Sequence, residues 1–167
     1  MWSPKGGALV APAELAARVP VADVEGVTLL GGEPFEQALA LAHFASYVRE
    51  RGMSVMVFTG HQREDLERSL LPGVRDLLAQ TDLLVDGPYI AERTDRRRPW
   101  AGSTNQRFHF LSDRYRHLEQ QLATLPDRIE LRVAPTGEVT VNGWAPVDQL
   151  DDLLAESTPA VGRGKVR

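Results

Sequence analysis

Four clusters in this 167-residue chain set glycine beside polar residues at or near predicted strand ends. They are Gly31-Gly32-Glu33-Pro34, Thr59-Gly60-His61, Asp86-Gly87-Pro88-Tyr89 and Gly102-Ser103-Thr104-Asn105-Gln106. Glycine lets a ligand approach the main chain and permits positive φ. Main-chain carbonyls bared in this way accept hydrogen bonds from an ammonium group. A carboxylate such as Glu33 adds a charge-assisted bond. The group such a site suits is small, cationic and amino-bearing. Each cluster alone reads first as a tight turn; four of them on one predicted rim favour a ligand. Asp86 contacts a polar ligand atom or caps the Gly87-Pro88 turn. Asn105 and Gln106 offer paired amide donors and acceptors, to a ligand or to their own loop. His61 follows a turn on the same rim; His43 lies on a helix, where an ordinary histidine needs no ligand.

The elements that must position these groups alternate along the chain. An amphipathic helix is predicted over 12–19, with Pro12 in its first turn. A buried-type strand follows over 26–30, then a helix from about Phe35 to Arg51. Leu39, Ala42, Phe44, Tyr47 and Val48 recur on that helix at helical spacing, and Gly52 stands at its C-terminal cap. A second strand covers 53–60. Helical pieces at 63–71 and 73–80 are split by Pro72-Gly73, and a third strand lies within 82–89. Strand, helix, strand, helix, strand is the order of right-handed crossovers on a parallel sheet. Ligands of such sheets gather at the C-terminal ends of the strands, where the glycine clusters fall. Beyond residue 90 come a polar loop over 91–100, a strand within 107–112 and a helix from Ser112 or Asp113. A hairpin over 129–144 and a helix over 146–156 follow. The expectation is one domain over 1–156 with a flexible tail over 157–167.

Net charge is −4, which gives the whole chain no electrostatic footprint for nucleic acid. No apolar run of about 18 residues is present, so no membrane span is expected. The first residues lack a signal-peptide pattern, which leaves the cytoplasm as the expected location. Arg96, Arg97 and Arg98 read either as a solvated loop or as a grip for phosphates or an acidic partner. The chain has no cysteine. Disulfides, cysteine nucleophiles and thiolate-held zinc or iron–sulfur sites are excluded for these residues.

Three of the quoted segments carry a resemblance. "LLGGEPFEQ" resembles the Gly-Gly-Glu-Pro motif of radical S-adenosylmethionine (SAM) enzymes, in which that backbone holds the cofactor's amino group. "DLLVDGPY" followed by "WAGSTNQR" is similar to glycyl-radical-enzyme activases, in particular those that activate anaerobic ribonucleotide reductase, and to the single-cluster-domain relatives of those activases. The likeness runs from the N-terminus to about Arg107, with a weaker one in "VTVNGW". It implies an α/β fold, a partial (β/α) barrel of radical SAM type. It implies SAM as cofactor, held by Gly31, Gly32, Glu33, Pro34, Thr59, Asp86 and Asn105. A [4Fe–4S] cluster is implied as well, with a glycyl radical enzyme such as anaerobic ribonucleotide reductase as partner.

The family's Cys-x-x-x-Cys-x-x-Cys loop is not found here. The opening "MWSPKGGALVAPAELAARV" resembles the segment just after it, so the expectation is a chain that starts at an internal methionine or has lost its first strand. Such a chain does not cleave SAM alone. The alternative is a non-catalytic module that keeps a SAM- or nucleotide-binding rim.

Overall fold

Gly26–Leu29, an apolar run ended by two glycines, forms strand β1. Ahead of it lies helix α1, Pro12–Ala17, with its proline in the first turn. Pro34–Gln37 makes a 3₁₀ turn that leads into helix α2, Ala38–Glu50. Strand β2 is Ser54–Phe58, helix α3 Arg63–Arg68, helix α4 Val74–Gln80, strand β3 Leu83–Asp86 and strand β4 Arg107–Phe110. The structure is a computed structural model, and it describes residues 8–22, 24–95, 97–122, 124, 130–133 and 139–142. Its contacts divide the chain into two units, Met1–Leu125 and Pro126–Arg167.

The first unit is a mixed α/β layer structure with strand order β1-β2-β3-β4. β1 pairs with β2, and β2 with β3, in parallel, as the alternating pattern predicts. β4 runs antiparallel to β3, with Asp86 opposite Arg107 and Leu84 opposite His109. The reason lies in the connection. Between β3 and β4 the described residues form a 3₁₀ turn, Ala91–Arg93, and an isolated antiparallel bridge, Thr94 with Ser103. With no crossover helix among them, the chain enters β4 from the end at which it left β3.

The core sits between the sheet and α2 and α4. Val55, Val57 and Leu84 pack against Ala42, Ala45, Val48, Val74 and Leu77. Of the predicted stripe on α2, Ala42, Phe44 and Val48 are buried, whereas Leu39 and Tyr47 are exposed. The buried line is Ala38, Ala42, Ala45 and Val48. Small side chains let α2 approach α4 closely: a Cβ on Gly73 would lie 2.3 Å from the Leu39 Cα.

The helix expected from Ser112 is absent; over 112–122 there is one 3₁₀ turn, Arg116–Leu118. Tertiary bonds draw this segment along the sheet instead. The Ser112 hydroxyl donates to Asp82 Oδ1 at 2.6 Å, the Tyr115 hydroxyl reaches Ser54 Oγ at 2.8 Å, and Arg114 reaches the Gly52 carbonyl at 2.9 Å. These partners overrule a weak local helix preference.

In the second unit, strands β5 (Glu130–Val133) and β6 (Val139–Asn142) form the predicted antiparallel pair. Its Pro135-Thr136-Gly137 turn, the helix expected over 146–156 and the tail over 157–167 lie outside the described residues.

Candidate functional site

Since β1, β2 and β3 run in parallel and β4 runs back, the four glycine clusters converge at one end of the first sheet. Side chains tie them in sequence. Glu33 Oε1 accepts from the Phe35 amide at 3.1 Å and the Thr59 hydroxyl at 2.8 Å; its Oε2 accepts from the Gly60 amide at 2.9 Å. One carboxylate therefore locks the turn after β1 to the end of β2. The His61 carbonyl accepts from the Gly87 amide at 2.9 Å, which joins β2 to β3. The Gln106 side-chain amide donates to the Gly87 carbonyl at 3.1 Å, and that of Asn105 to the Pro88 carbonyl at 2.7 Å, which joins β3 to the loop before β4.

Gly31 and Gly32 sit at φ of +86° and +57°, both left-handed, and a Cβ on either would meet nothing within 4 Å. The glycines thus serve backbone conformation, not close packing. No hydrogen bond among the described residues engages their main-chain groups. Two exposed peptide units therefore stand open above the rim, held from below by Glu33. Pro34 is buried at the start of the 3₁₀ turn. The carboxylate foreseen as a direct ligand group is directed chiefly into its own scaffold.

Asp86 is fully buried. Its Oδ2 accepts from the Arg63 amide at 2.7 Å, and its two oxygens meet Arg107 Nε at 3.0 Å and Nη2 at 2.5 Å. Arg107 also grips Glu64 through two bonds of 2.9 and 2.7 Å. Burial pushes the Asp86 carboxyl up, but the bonds from Arg107 and the Arg63 amide, with His109 nearby, outweigh it and hold the group below its ordinary value. Hydrogen bonding to Arg107 likewise lowers Glu64 to about 2. His109 Nε2 lies 3.1 Å from Asp86 Oδ2 without the alignment of a hydrogen bond. Of the two roles read from the sequence, the geometry gives Asp86 neither the Gly87-Pro88 cap nor an open face: it anchors the start of α3 and the start of β4.

Asn105 Oδ1 is buried without a hydrogen-bond partner among the described residues, while Gln106 Oε1 accepts from the amides of Gly102 and Ser103 at 2.8 and 3.2 Å. Asn105 thus keeps an acceptor unused at the rim, and Gln106 serves its own loop. Thr59 bridges Glu33 and the His61 amide, which donates to its hydroxyl at 3.1 Å. The His61 side chain is exposed.

Arg98, read from the sequence either as part of a solvated loop or as a grip for phosphates or an acidic partner, organises its own loop. Its guanidinium meets Asp95 at 2.6 Å and the carbonyls of Gln106, Ser103 and Thr104, and it lies 5.4 Å from the Phe108 ring centroid. Arg96 lies outside the described residues. Sequence reasoning missed the Arg107–Glu64–Asp86 group and, at the other end of β3, Asp82. The latter is buried and accepts from Arg49, Ser112 and the Val55 amide. A charged residue at each end of the apolar run "LLV" was the available signal, because such acids are buried only when paired.

The group described as "4Fe-4S single cluster domain" matches residues 1–109. An anaerobic ribonucleoside-triphosphate reductase-activating protein of Haemophilus influenzae is 32% identical over 89 residues, 51% of this chain and 55% of that one. The protein of the same name from Enterobacteria phage T4 is 26% identical over 113 residues, 64% of this chain and 68% of its own. The chain thus spans about half the length of the first relative and about two thirds of the second. No solved structure matches it. Iron–sulfur clusters are held by thiolates. These 167 residues include no cysteine, and among the described residues no three His, Asp or Glu gather as a metal site. The residues present do not fit the cluster that the matching description names.

Proposed function

We propose, from the premise that this chain belongs to the 4Fe-4S single cluster domain family, that it is an activase-like protein whose sheet rim receives the aminoacyl end of S-adenosylmethionine. The observation that carries this reading is the pair of open peptide units at Gly31 and Gly32, fixed by the Glu33 bridge to Thr59 and Gly60. Carbonyls aimed past a strand end accept from an ammonium group at little reorganisation cost, because the turn is already locked. Asn105 stands on the same rim, with a buried acceptor that has no partner among the described residues. Asp86 supports from beneath.

On this reading the four-stranded sheet is part of a (β/α) barrel of radical SAM type. Both relatives bear the name of activating proteins for anaerobic ribonucleoside-triphosphate reductase. By that likeness the partner is a glycyl radical enzyme of the same kind. Reductive cleavage of SAM is not assigned to these residues, since they offer no ligands for the cluster.

A second reading is favoured by the absence of cysteine: a rim whose turns are tied by Glu33, in a chain without cysteine, also describes a non-catalytic SAM- or nucleotide-binding module. Calorimetric titration of the 167-residue chain with SAM separates the two. Near-millimolar binding marks an activase rim deprived of its iron. Micromolar binding, with adenosine competing, marks the module. In either case Glu33→Ala weakens binding about tenfold or more, the 1.4 kcal/mol of one charge-supported contact. Absence of binding at millimolar SAM, or binding indifferent to Glu33→Ala, rejects both.

A further inference from the structure

Among the described residues one non-glycine stands at positive φ: Trp100, at +66°. A bulky side chain in that conformation is strained, and such strain gathers where a protein needs a group held in one place. Burial does not offset it, because Trp100 is 48% exposed. Glycine takes this φ freely. What a glycine here would lack is the indole.

A second aromatic stands on the same loop. Tyr89, three residues past the end of β3, is 62% exposed. Its ring is nevertheless held. A Cβ on Gly102 would lie 3.0 and 3.3 Å from its Cδ2 and Cε2, so one ring edge rests where position 102 has no side chain. The Asn105 side-chain amide fixes the preceding carbonyl, that of Pro88. Between the two aromatics the loop is tied across itself. The hydroxyl of the buried Ser103 accepts from the Ile90 amide at 3.1 Å. The Thr104 amide donates to the Arg93 carbonyl at 2.7 Å, and the Asp95 amide to the Gly102 carbonyl at 3.1 Å. Two large rings thus face water from a loop that is already ordered, which lowers the cost of binding a flat group.

We propose that Tyr89 and Trp100 stack the adenine of the compound whose aminoacyl end lies on Gly31 and Gly32. The inference rests on the rim proposed above for S-adenosylmethionine and assigns its nucleoside half. Gly31, Gly32 and Glu33 offer that half no flat apolar surface. Spacing selects the place. Neighbouring strands lie about 4.8 Å apart, so the ends of β1 and β3 stand about 10 Å from each other. An extended aminoacyl-sulfonium-ribose chain spans that interval. A ligand anchored past β1 and laid across β2 therefore brings its base to the loop after β3, where the exposed aromatics are. Stacking on an aromatic face is a general means of holding a base.

Saturation-transfer NMR and calorimetry of the 167-residue chain, with adenosine and separately with S-adenosylmethionine, test it. Both ligands are expected to bind. Tyr89→Ala and Trp100→Gly each weaken both about tenfold, whereas Tyr89→Phe keeps the ring and the affinity. Trp100→Gly is expected to melt no lower than the parent chain, because it relieves the left-handed strain; a merely structural tryptophan would lower the melting temperature. Glu33→Ala weakens S-adenosylmethionine and spares adenosine, which tells the two halves of the rim apart. S-adenosylmethionine binding that depends on Glu33 but on neither aromatic overturns the inference and leaves the aminoacyl reading in place. Adenosine binding that depends on both aromatics, with Glu33→Ala without effect on either ligand, supports the inference and overturns that reading. Absence of adenosine binding overturns the inference. If Trp100→Gly does not fold, its part in the inference falls, and Tyr89→Ala against Tyr89→Phe decides the rest.

Discussion

Asp86, at the end of β3, joins two further elements through one carboxylate: the first amide of α3 and the guanidinium of Arg107 on β4, with the imidazole of His109 close by. Burial opposes its ionisation, and the donors around it win. A carboxyl whose folded pKa is lowered stabilises the fold above its unfolded value, and that stability is lost as pH falls through the folded value. The resistance of the wild type to urea is therefore expected to weaken on acidification below about pH 4, where unfolded carboxylates protonate. Asp86→Asn is expected to unfold about 2–3 kcal/mol more easily at pH 7, less than a fully buried pair loses because Arg107 is half exposed. Its stability should also vary less between about pH 5 and pH 2. An identical acid slope in both proteins would remove Asp86 from this role. Glu33 differs in kind, since its bonds shape a surface that stays open.

At the scale of elements, the contact of α2 with α4 decides how tightly the helical layer lies on the sheet. Ala38, Ala42 and Ala45 keep the α2 face low, and Gly73 enters it at φ +80° with no room for a Cβ beside Leu39. Gly73→Ala meets both a left-handed strain and a backbone clash, and a loss of about 2–4 kcal/mol in chemical denaturation is expected. A loss near 1 kcal/mol, the strain of the left-handed conformation alone, would mean that the two helices separate readily. The reversal at β4 matters equally. It brings the Gly102–Gln106 loop back to the rim, where Gln106 and Asn105 bond the carbonyls of Gly87 and Pro88. A crossover in place of the loop would have put those amides at the opposite end.

For the whole molecule, membership of a cluster family and a cysteine count of zero stand together. Anaerobic reconstitution of the 167-residue chain with iron and sulfide is expected to leave no stoichiometric protein-bound cluster by visible absorbance and iron assay; one cluster per chain would show a ligand set outside the described residues. No helix among the described residues is long and apolar enough to cross a membrane. Read alone, the chain of residues determined the parallel β1-β2-β3 order, the rim at the strand ends and the family, because apolar periodicity and glycine-bearing turns are local properties. It also determined that thiolate chemistry is missing, a matter of composition. Only the tertiary structure decided that β4 runs back, that 112–122 forgoes a helix and that Asp86 and Arg98 are scaffold while the Gly31 and Gly32 peptides stay open. Each of these depends on a partner from about five to sixty residues away in sequence, such as Asp82 for Ser112 or Arg107 for Asp86. Pairings across such separations are set by packing and charge neutralisation in three dimensions, and spacing along the chain does not encode them.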